Sequence, residues 1–413
     1  MKNAPIISAG IIAVLSLTTI PLSAHANDST ATIELGGIVL TKQSEIEMEV
    51  EDLTVSPGFV HVEYIFKNHS DTDIDSIVAF PLPRVDMGES YFHDLAWPNP
   101  KSGNLVGFHA KSDGKDVQLT QETHAWVGDQ EVSASLLDLG VPIGTGASWL
   151  YSSDLAPQLK AAGLVVQSSG EDIANWMEQT TFYWRQHFPK ESPTYIEHVY
   201  NPAAGAQHIS SGTNFSEYCF DKITIDRISD ELRRNGYDAE LLEVKYILTT
   251  ANNWRGPIGD FRLTVKSPRP EILVGSCMPG LQAIDANTLE MHVRDFSPSQ
   301  ELTAYFIVPL RLWDDMGVDT GPNQLIPDSD KALIKQSDLK FHNAGFLRLA
   351  RNEIYARHGK RFHDSLLQHW FETKKWYNPT DAEVHLSQVE ATNVEIILRE
   401  ENGRQMTPKN EAN

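Results

Sequence analysis

The stretch Arg351–Phe362, RNEIYARHGKRF, sets two arginines, an Asn, a Glu, a Tyr and a His within its first eight positions. Guanidinium, carboxylate, phenol and imidazole are the groups used in acid–base catalysis and anion recognition. Whether they act together depends on where the backbone points them. From Ala344 to His358 there is no proline, and the only glycine is Gly345, so the stretch reads as a helix that Gly359 is placed to end. With a period of 3.6, Phe346, Leu347, Ala350 and Ile354 share the buried face. Glu353 and Arg357 flank it on one side at ion-pair spacing. Arg351, Tyr355 and His358 form a stripe on the other flank, and Arg348 and Asn352 point away from the core. A catalytic pair needs mutual hydrogen-bond reach and a shared substrate position. Polar residues straddling a buried seam do not provide it. Arg351, Tyr355, Arg357 and His358 are therefore ligand-binding candidates, suited to an anionic or sugar-like group. The blander reading is that the arginines tie the helix to its neighbours.

The run Asn253-Trp254-Arg255-Gly256-Pro257-Ile258-Gly259-Asp260 is the other dense constellation. Trp254 and Arg255 are binding candidates. The competing reading is a turn that staples two strands, with Trp254 buried and Arg255 paired to Asp260. His187, His198 and His208 lack metal-ligand spacing, and no HExxH, GxSxG, P-loop or GxGxxG stands in the chain. No catalytic residue, metal set or cofactor follows from the motifs.

MKNAPIISAGIIAVLSLTTIPLSAHA has one charge, an apolar run and an Ala24-His25-Ala26 end, so it reads as a signal peptide cleaved between Ala26 and Asn27. No later stretch is apolar and long enough to span a bilayer as a helix. The expected location is periplasmic or secreted. A net charge of −22 argues against nucleic acid and anionic membrane surfaces as partners. The two cysteines, Cys219 and Cys277, are expected to form a disulfide in an exported chain.

Alternation in SEIEMEV, FVHVEYIF and DSIVAFPLP reads as an antiparallel meander. From about 121 to 178 the pattern turns helical, with Ser168 and Glu171 at capping-box spacing. Strands return at TTFYWRQHF, TYIEHVYNP, DKITIDRI, LLEVKYILTTA, DFRLTVKS, EILVGS, TLEMHVRDF and ELTAYFIVPL. The expected fold is mainly β with α: an antiparallel β-sandwich over 27–312 with a helical insertion, then a small all-α domain. Residues 313–322 read as a linker and 403–413 as a disordered tail. Within the helical domain, Asp364 and Ser387 are N-cap candidates, the latter in a box with Glu390. Leu367, Trp370 and Phe371 form a buried face.

RNEIYARHGKRF, followed by LLQHWFETKKWYNP and LSQVEATNVEIILREE, resembles the YARHG domain, an exported bacterial module, over about 323–402. ELGGIVLTKQSEIEMEVEDLTVSPGFVHVEYIFKN, VAFPLP, YWRQHFP, YCFD and NNWRGPIGDFRLTV resemble the bacterial domain of unknown function 4424. Neither resemblance brings a known chemistry or a catalytic residue. The expectation is an exported binding protein that recognises cell-wall material, such as peptidoglycan, or another envelope protein. The alternative is a hydrolase of an envelope polymer.

Overall fold

The computed structural model describes residues 29–403 apart from 89–102, 146–152, 210–212, 235–238, 310–324, 340–343 and scattered single or paired positions. The expected leader, linker and nearly all of the tail lie outside the described residues. Strands are numbered along the chain. The largest sheet has eight strands in the order β19 (Gln282–Asp285), β20 (Thr288–Phe296), β17 (Ile258–Lys266), β3 (Ile46–Ser56), β4 (Phe59–Asn68), β14 (Pro193–Tyr200), β7 (His109–Ser112) and β8 (Lys115–Asp116). A second sheet runs β10 (Gln130–Glu131), β9 (Thr120–Val127), β13 (Met177–Phe188), β5 (Ile74–Pro81), β1 (Ser29–Glu34), β2 (Gly37–Thr41), with β6 (Val85–Asp86) also on β13. A third has β15 (Gly205–Ile209), β16 (Ala239–Tyr246), β21 (Leu302–Pro309) and β18 (Leu273–Ser276). A separate hairpin joins β11 (Val165–Ser168) to β12 (Glu171–Ala174). The pairing of β17 with β3 is parallel.

Alternation explains the layering. Val60, Val62, Tyr64 and Phe66 of β4 enter one core with Val78 and Phe80 of β5, Phe182 and Trp184 of β13, and Val244 and Phe306 of the third sheet. One face of the large sheet thus packs on both smaller sheets, as a sandwich. Residues of opposite parity, including Phe59 of β4 and Val199 of β14, join a different core made by the C-terminal helices. The disulfide forms between Cys219 and Cys277.

Three expectations change. DSIVAFPLP does not continue the meander, because β5 leaves β4 and pairs with β13 and β1 in the second sheet. DKITIDRI lies in a helix rather than a strand. Alternation over seven residues also fits a helix, and here Thr224 and Ile228, four apart, supply the buried side of Lys222–Arg234. Ser168 and Glu171 do not form a capping box but face each other across the hairpin turn that contains Gly170, whose φ of +89° suits glycine. Among its described residues, the segment 121–178 accordingly holds two short α-helices, α1 (Ser133–Asp138) and α2 (Ala156–Ala161), between strands. These helices share a small core around Leu136, Leu159 and Trp176. Numbering the 222–234 helix α3, the C-terminal part contains α4 (Gln336–Leu339), α5 (Ala344–Arg357), α6 (Ser365–Glu372) and α7 (Gln388–Asn402).

Candidate functional site

Two places in the fold collect polar groups from elements far apart in sequence. The first is the outer face of the large sheet. Register places Arg262, Asp52, Glu63, Glu197 and Lys111 side by side on β17, β3, β4, β14 and β7. Three neighbouring carboxylates on paired strands repel one another. His61, two residues before Glu63 on the same face, is fully buried, and its Nε2 lies 3.1 Å from Glu197 Oε1. The helices supply the rest. Arg348 of α5 reaches both oxygens of Glu197 at 3.2 and 3.3 Å and Asp364 Oδ2 at 2.6 Å, and Asp364 also takes Lys111 Nζ. Burial alone would raise the Glu197 carboxyl. The His61 hydrogen bond and the charges of His61, Arg348 and Lys111 hold it at about 2. Burial, with the Glu197 and Asp52 charges beside it, pushes Glu63 up to about 7 against the pull of His61 and Arg348.

This polar row is framed by apolar and aromatic contacts. Phe59 meets Trp370 edge-on at 5.9 Å, and Lys374 Nζ sits 3.6 Å over the Trp370 ring while donating to Asn201 Oδ1 at 2.7 Å. The helices are thus docked on the sheet through one charged cluster and one aromatic anchor. Arg348, which helical geometry alone points away from the core, turns out to face this interface. Asn352 is buried, donating to the Arg348 carbonyl at 2.7 Å.

The second place is a cleft of about 270 Å³ where the three sheets meet. Leu82, Phe182, Leu241 and Tyr305 wall it, and Arg84, Glu178 and Lys245 bring charge. Tyr200 and Arg84 also line it, and the Tyr200 hydroxyl and Arg84 Nε are each buried without a hydrogen-bond partner among the described residues. Both are donors, and an unmet buried polar group costs about 1–3 kcal/mol. Arg84 is held by its guanidinium stacking 4.4 Å over Trp126. Glu178 accepts from Trp176 Nε1 at 3.2 Å and from the Gly144 N–H at 2.9 Å.

Residues 26–304 match the family model described as a domain of unknown function, DUF4424, and residues 323–402 match the YARHG domain. The chain belongs to the DUF4424 family. It carries a YARHG domain at its C-terminal side. No curated protein matches the chain. Among solved structures, one from Legionella pneumophila subsp. pneumophila, assigned provisionally as a nutrient binding protein, is 16% identical, with 91% of this chain and 97% of that one covered and a TM-score of 0.36. An M1 zinc metallopeptidase from Deinococcus radiodurans with a bound Tyr-Ser-Ala substrate is 8% identical, with 65% of this chain and 44% of that one covered and a TM-score of 0.23. Likeness this shallow reaches neither site residues nor ligands.

The five residues that give the YARHG domain its name each have a place in its packing. Tyr355 packs on the module's core, and its carbonyl accepts the Lys360 N–H at 3.1 Å. Ala356 is buried, and its carbonyl accepts the Gly359 N–H at 2.9 Å. These two bonds close α5 as a Schellman motif, with Gly359 at φ +77°. Arg357 donates to Ser329 Oγ at 2.7 Å and lies 3.9 Å from Glu353. His358 Nε2 is 2.7 Å from Glu390 Oε1, while Glu390 also completes the capping box with Ser387 at the start of α7. Arg351 forks onto Glu401 at 2.7 and 3.2 Å. Arg351 and His358 therefore bind α5 to α7. Asp364 caps α6 by accepting the Leu367 N–H at 3.0 Å. Of the predicted buried face of α5, Leu347, Ala350 and Ile354 are buried, and the Phe346 side chain lies outside those described.

Gly359 makes a direct prediction. A Cβ there would stand 2.8 Å from the Asn378 carbonyl oxygen and from Thr380 Cγ2, on a left-handed backbone. Gly359→Ala is expected to lower the stability of the YARHG domain by about 2–3 kcal/mol, read by urea unfolding. A loss under about 0.5 kcal/mol would mean that the turn relaxes freely.

Glu353 makes another. Its carboxyl is almost fully buried, and burial raises it to about 7 against the pull of Arg357 and the Leu325 N–H. An unfolded Glu loses its proton near 4.5. Between these values the folded state binds more protons, so this residue's contribution to stability falls as pH rises from about 4.5 to about 7. Glu353→Gln keeps the acceptor for Leu325. It is expected to raise stability at pH 8 and to flatten that slope. An unchanged slope would place the proton elsewhere.

The remaining sequence candidates are scattered. Trp254 is buried against Phe66 at 4.6 Å and Phe188 at 6.0 Å. The Arg255 side chain is exposed, and its N–H donates to the Ile46 carbonyl at 2.9 Å. Asp260 pairs with Arg262 and His292, each at 3.0 Å, rather than with Arg255. His187 sits half exposed beside Asp75 at 2.8 Å. Sequence reasoning passed over His61 and Glu63, although an H-x-E on a strand puts both on one face. It also passed over Tyr200 and Arg84, whose shared cleft has no local signature.

Proposed function

We propose that the protein is an exported binding protein that holds a small ligand in the cleft between its three sheets. The observation that carries this is a cleft of mixed apolar and charged lining in which two residues, Tyr200 and Arg84, each carry a buried donor, Oη and Nε, unmatched among the described residues. The volume sits near the small end of ligand pockets, about 300–1,000 Å³. A fitting ligand has a flat or apolar body and an acceptor group, as amino acids, short peptides and cell-wall sugars do. Export rests on the leader-like N-terminus and the disulfide, and no helix among the described residues is long and apolar enough to cross a membrane. The Arg351, Tyr355 and His358 stripe is the poorer place for a ligand, because Arg351 and His358 are committed to Glu401 and Glu390. Trp254 is closed off in the core, and the Arg255 side chain is exposed at the surface. Hydrolysis is the weaker reading: both oxygens of Glu178 already accept hydrogen bonds.

The test is calorimetric titration of the chain with amino acids, dipeptides, N-acetylated amino sugars and muramyl dipeptide, beside sedimentation with insoluble peptidoglycan. Tyr200→Phe deletes an unmatched hydroxyl, so it is expected to leave stability level or up to about 1 kcal/mol higher. The same change is expected to weaken the bound ligand about tenfold, and Arg84→Ala more. Binding that ignores both substitutions, or no binding across the panel, would overturn the reading.

A further inference from the structure

A different feature, independent of the cleft, is the group His61, Glu63 and Glu197 beneath the YARHG domain. One ligand atom from each lies within 4.8 Å of the others. The strands force this closeness. Glu63 of β4 stands directly opposite Glu197 of β14, and His61 is on the same face two residues earlier. Like charges so placed destabilise a sheet unless something lies between them. Glu197 has counterions in Arg348 and His61. Glu63 makes no hydrogen bond or ion pair among the described residues. The imidazole is fully buried, with Nε2 facing Glu197 and Nδ1 without a hydrogen-bond partner among the described residues.

We propose that His61, Glu63 and Glu197 bind a divalent transition-metal ion, with zinc the best match. One imidazole and two carboxylates are a borderline donor set of the kind zinc takes with three protein ligands and a water. An ion between Glu63 and Glu197 supplies direct positive contact to Glu63, which makes no ion pair among the described residues. Arg348 then orients the Glu197 carboxylate, as a hydrogen-bonding neighbour of a metal ligand does. The competing reading is a plain ion-pair cluster in which Arg348, His61 and Lys111 supply the counter-charge.

The experiment strips the full chain with EDTA, removes the chelator, and titrates Zn²⁺ by calorimetry with elemental analysis of the product. Mn²⁺ and Ca²⁺ are run alongside. The expected result is one equivalent of Zn²⁺ per chain, held more tightly than Ca²⁺. Glu63→Gln preserves shape and relieves repulsion, so it folds in either reading, and it is expected to weaken Zn²⁺ by about 100-fold. His61→Gln is a second variant with the same expectation. The proposal is overturned if the wild type takes up no Zn²⁺. It is equally overturned if both variants bind as the wild type does, since the ion then sits elsewhere, for instance on the exposed His187 and Asp75.

Discussion

Arg348→Met is expected to destabilise the chain by about 2–4 kcal/mol and to split its thermal unfolding into two transitions, the YARHG domain melting first. The guanidinium serves two carboxylates at once, Glu197 on the sheet and Asp364 on α6. Methionine keeps most of the stem that packs in the interface but removes the fork. Glu197 is then left with His61, and Asp364 with Lys111. Removing one partner of a buried pair costs about 3–5 kcal/mol, whereas exposed pairs are worth under about 1 kcal/mol. These side chains are 21–29% exposed, which places the estimate between the two. Scanning calorimetry in the presence of EDTA reads the effect. A double-mutant cycle with Glu197→Gln isolates the pair, with an expected coupling of about 1–2 kcal/mol. A single transition with an unchanged midpoint would show that Phe59, Val199 and Trp370 hold the domains together without the charges.

Loss of the disulfide is expected to cost about as much. Cys219 and Cys277 close a loop with a separation of 58 residues, and the chain-entropy model gives about 4 kcal/mol for a loop of that size. The bridge ties the segment leading into α3 to the turn after β18, beside the core of Phe215, Phe220, Ile228 and Leu273. Replacing both cysteines by serine is therefore expected to loosen the outer side of the third sheet before the main sandwich. Hydrogen exchange would show faster exchange in Lys222–Arg234 and β18, with β3, β4 and β14 unchanged. Uniform exchange across the chain would mean that the bridge acts on the unfolded state alone.

How much of this could be read in the sequence follows from how local each signal is. Period-two runs with one polar face produced β3, β4, β13, β14 and β20, because each strand carries its own alternation. Gly359 ended α5, and Ser387 with Glu390 opened α7, because caps are short-range chemistry. KITIDRI failed because seven residues satisfy both periods. Ser168 and Glu171 failed because the same spacing that suits a capping box also brackets a two-residue turn. Arg348 failed for another reason: a flank that is polar in an isolated helix becomes an interface once a sheet bearing Glu197 is set against it. The two candidate sites were hidden in the same way. Tyr200 and Leu241 lie on different sheets and Arg84 in the loop between β5 and β6, and Glu63 meets Glu197 only through the pairing of strands whose registry no local pattern encodes.

The parallel pairing of β3 with β17 sets a condition on how the chain folds. Asp260 stands opposite Val50, more than two hundred positions away, while β4 waits for β14 across more than a hundred. Sheets built from such distant partners have high contact order and close in milliseconds to seconds or longer. The YARHG helices find their landing face only after β4, β14 and β7 have come together, since Glu197, Phe59 and Lys111 arrive on three separate strands. Docking of the C-terminal module is thus a late event that reports completion of the sheet. A chain stalled before that point presents a bare edge at β4 and an uncovered Trp370, the surfaces through which incomplete β proteins associate with one another.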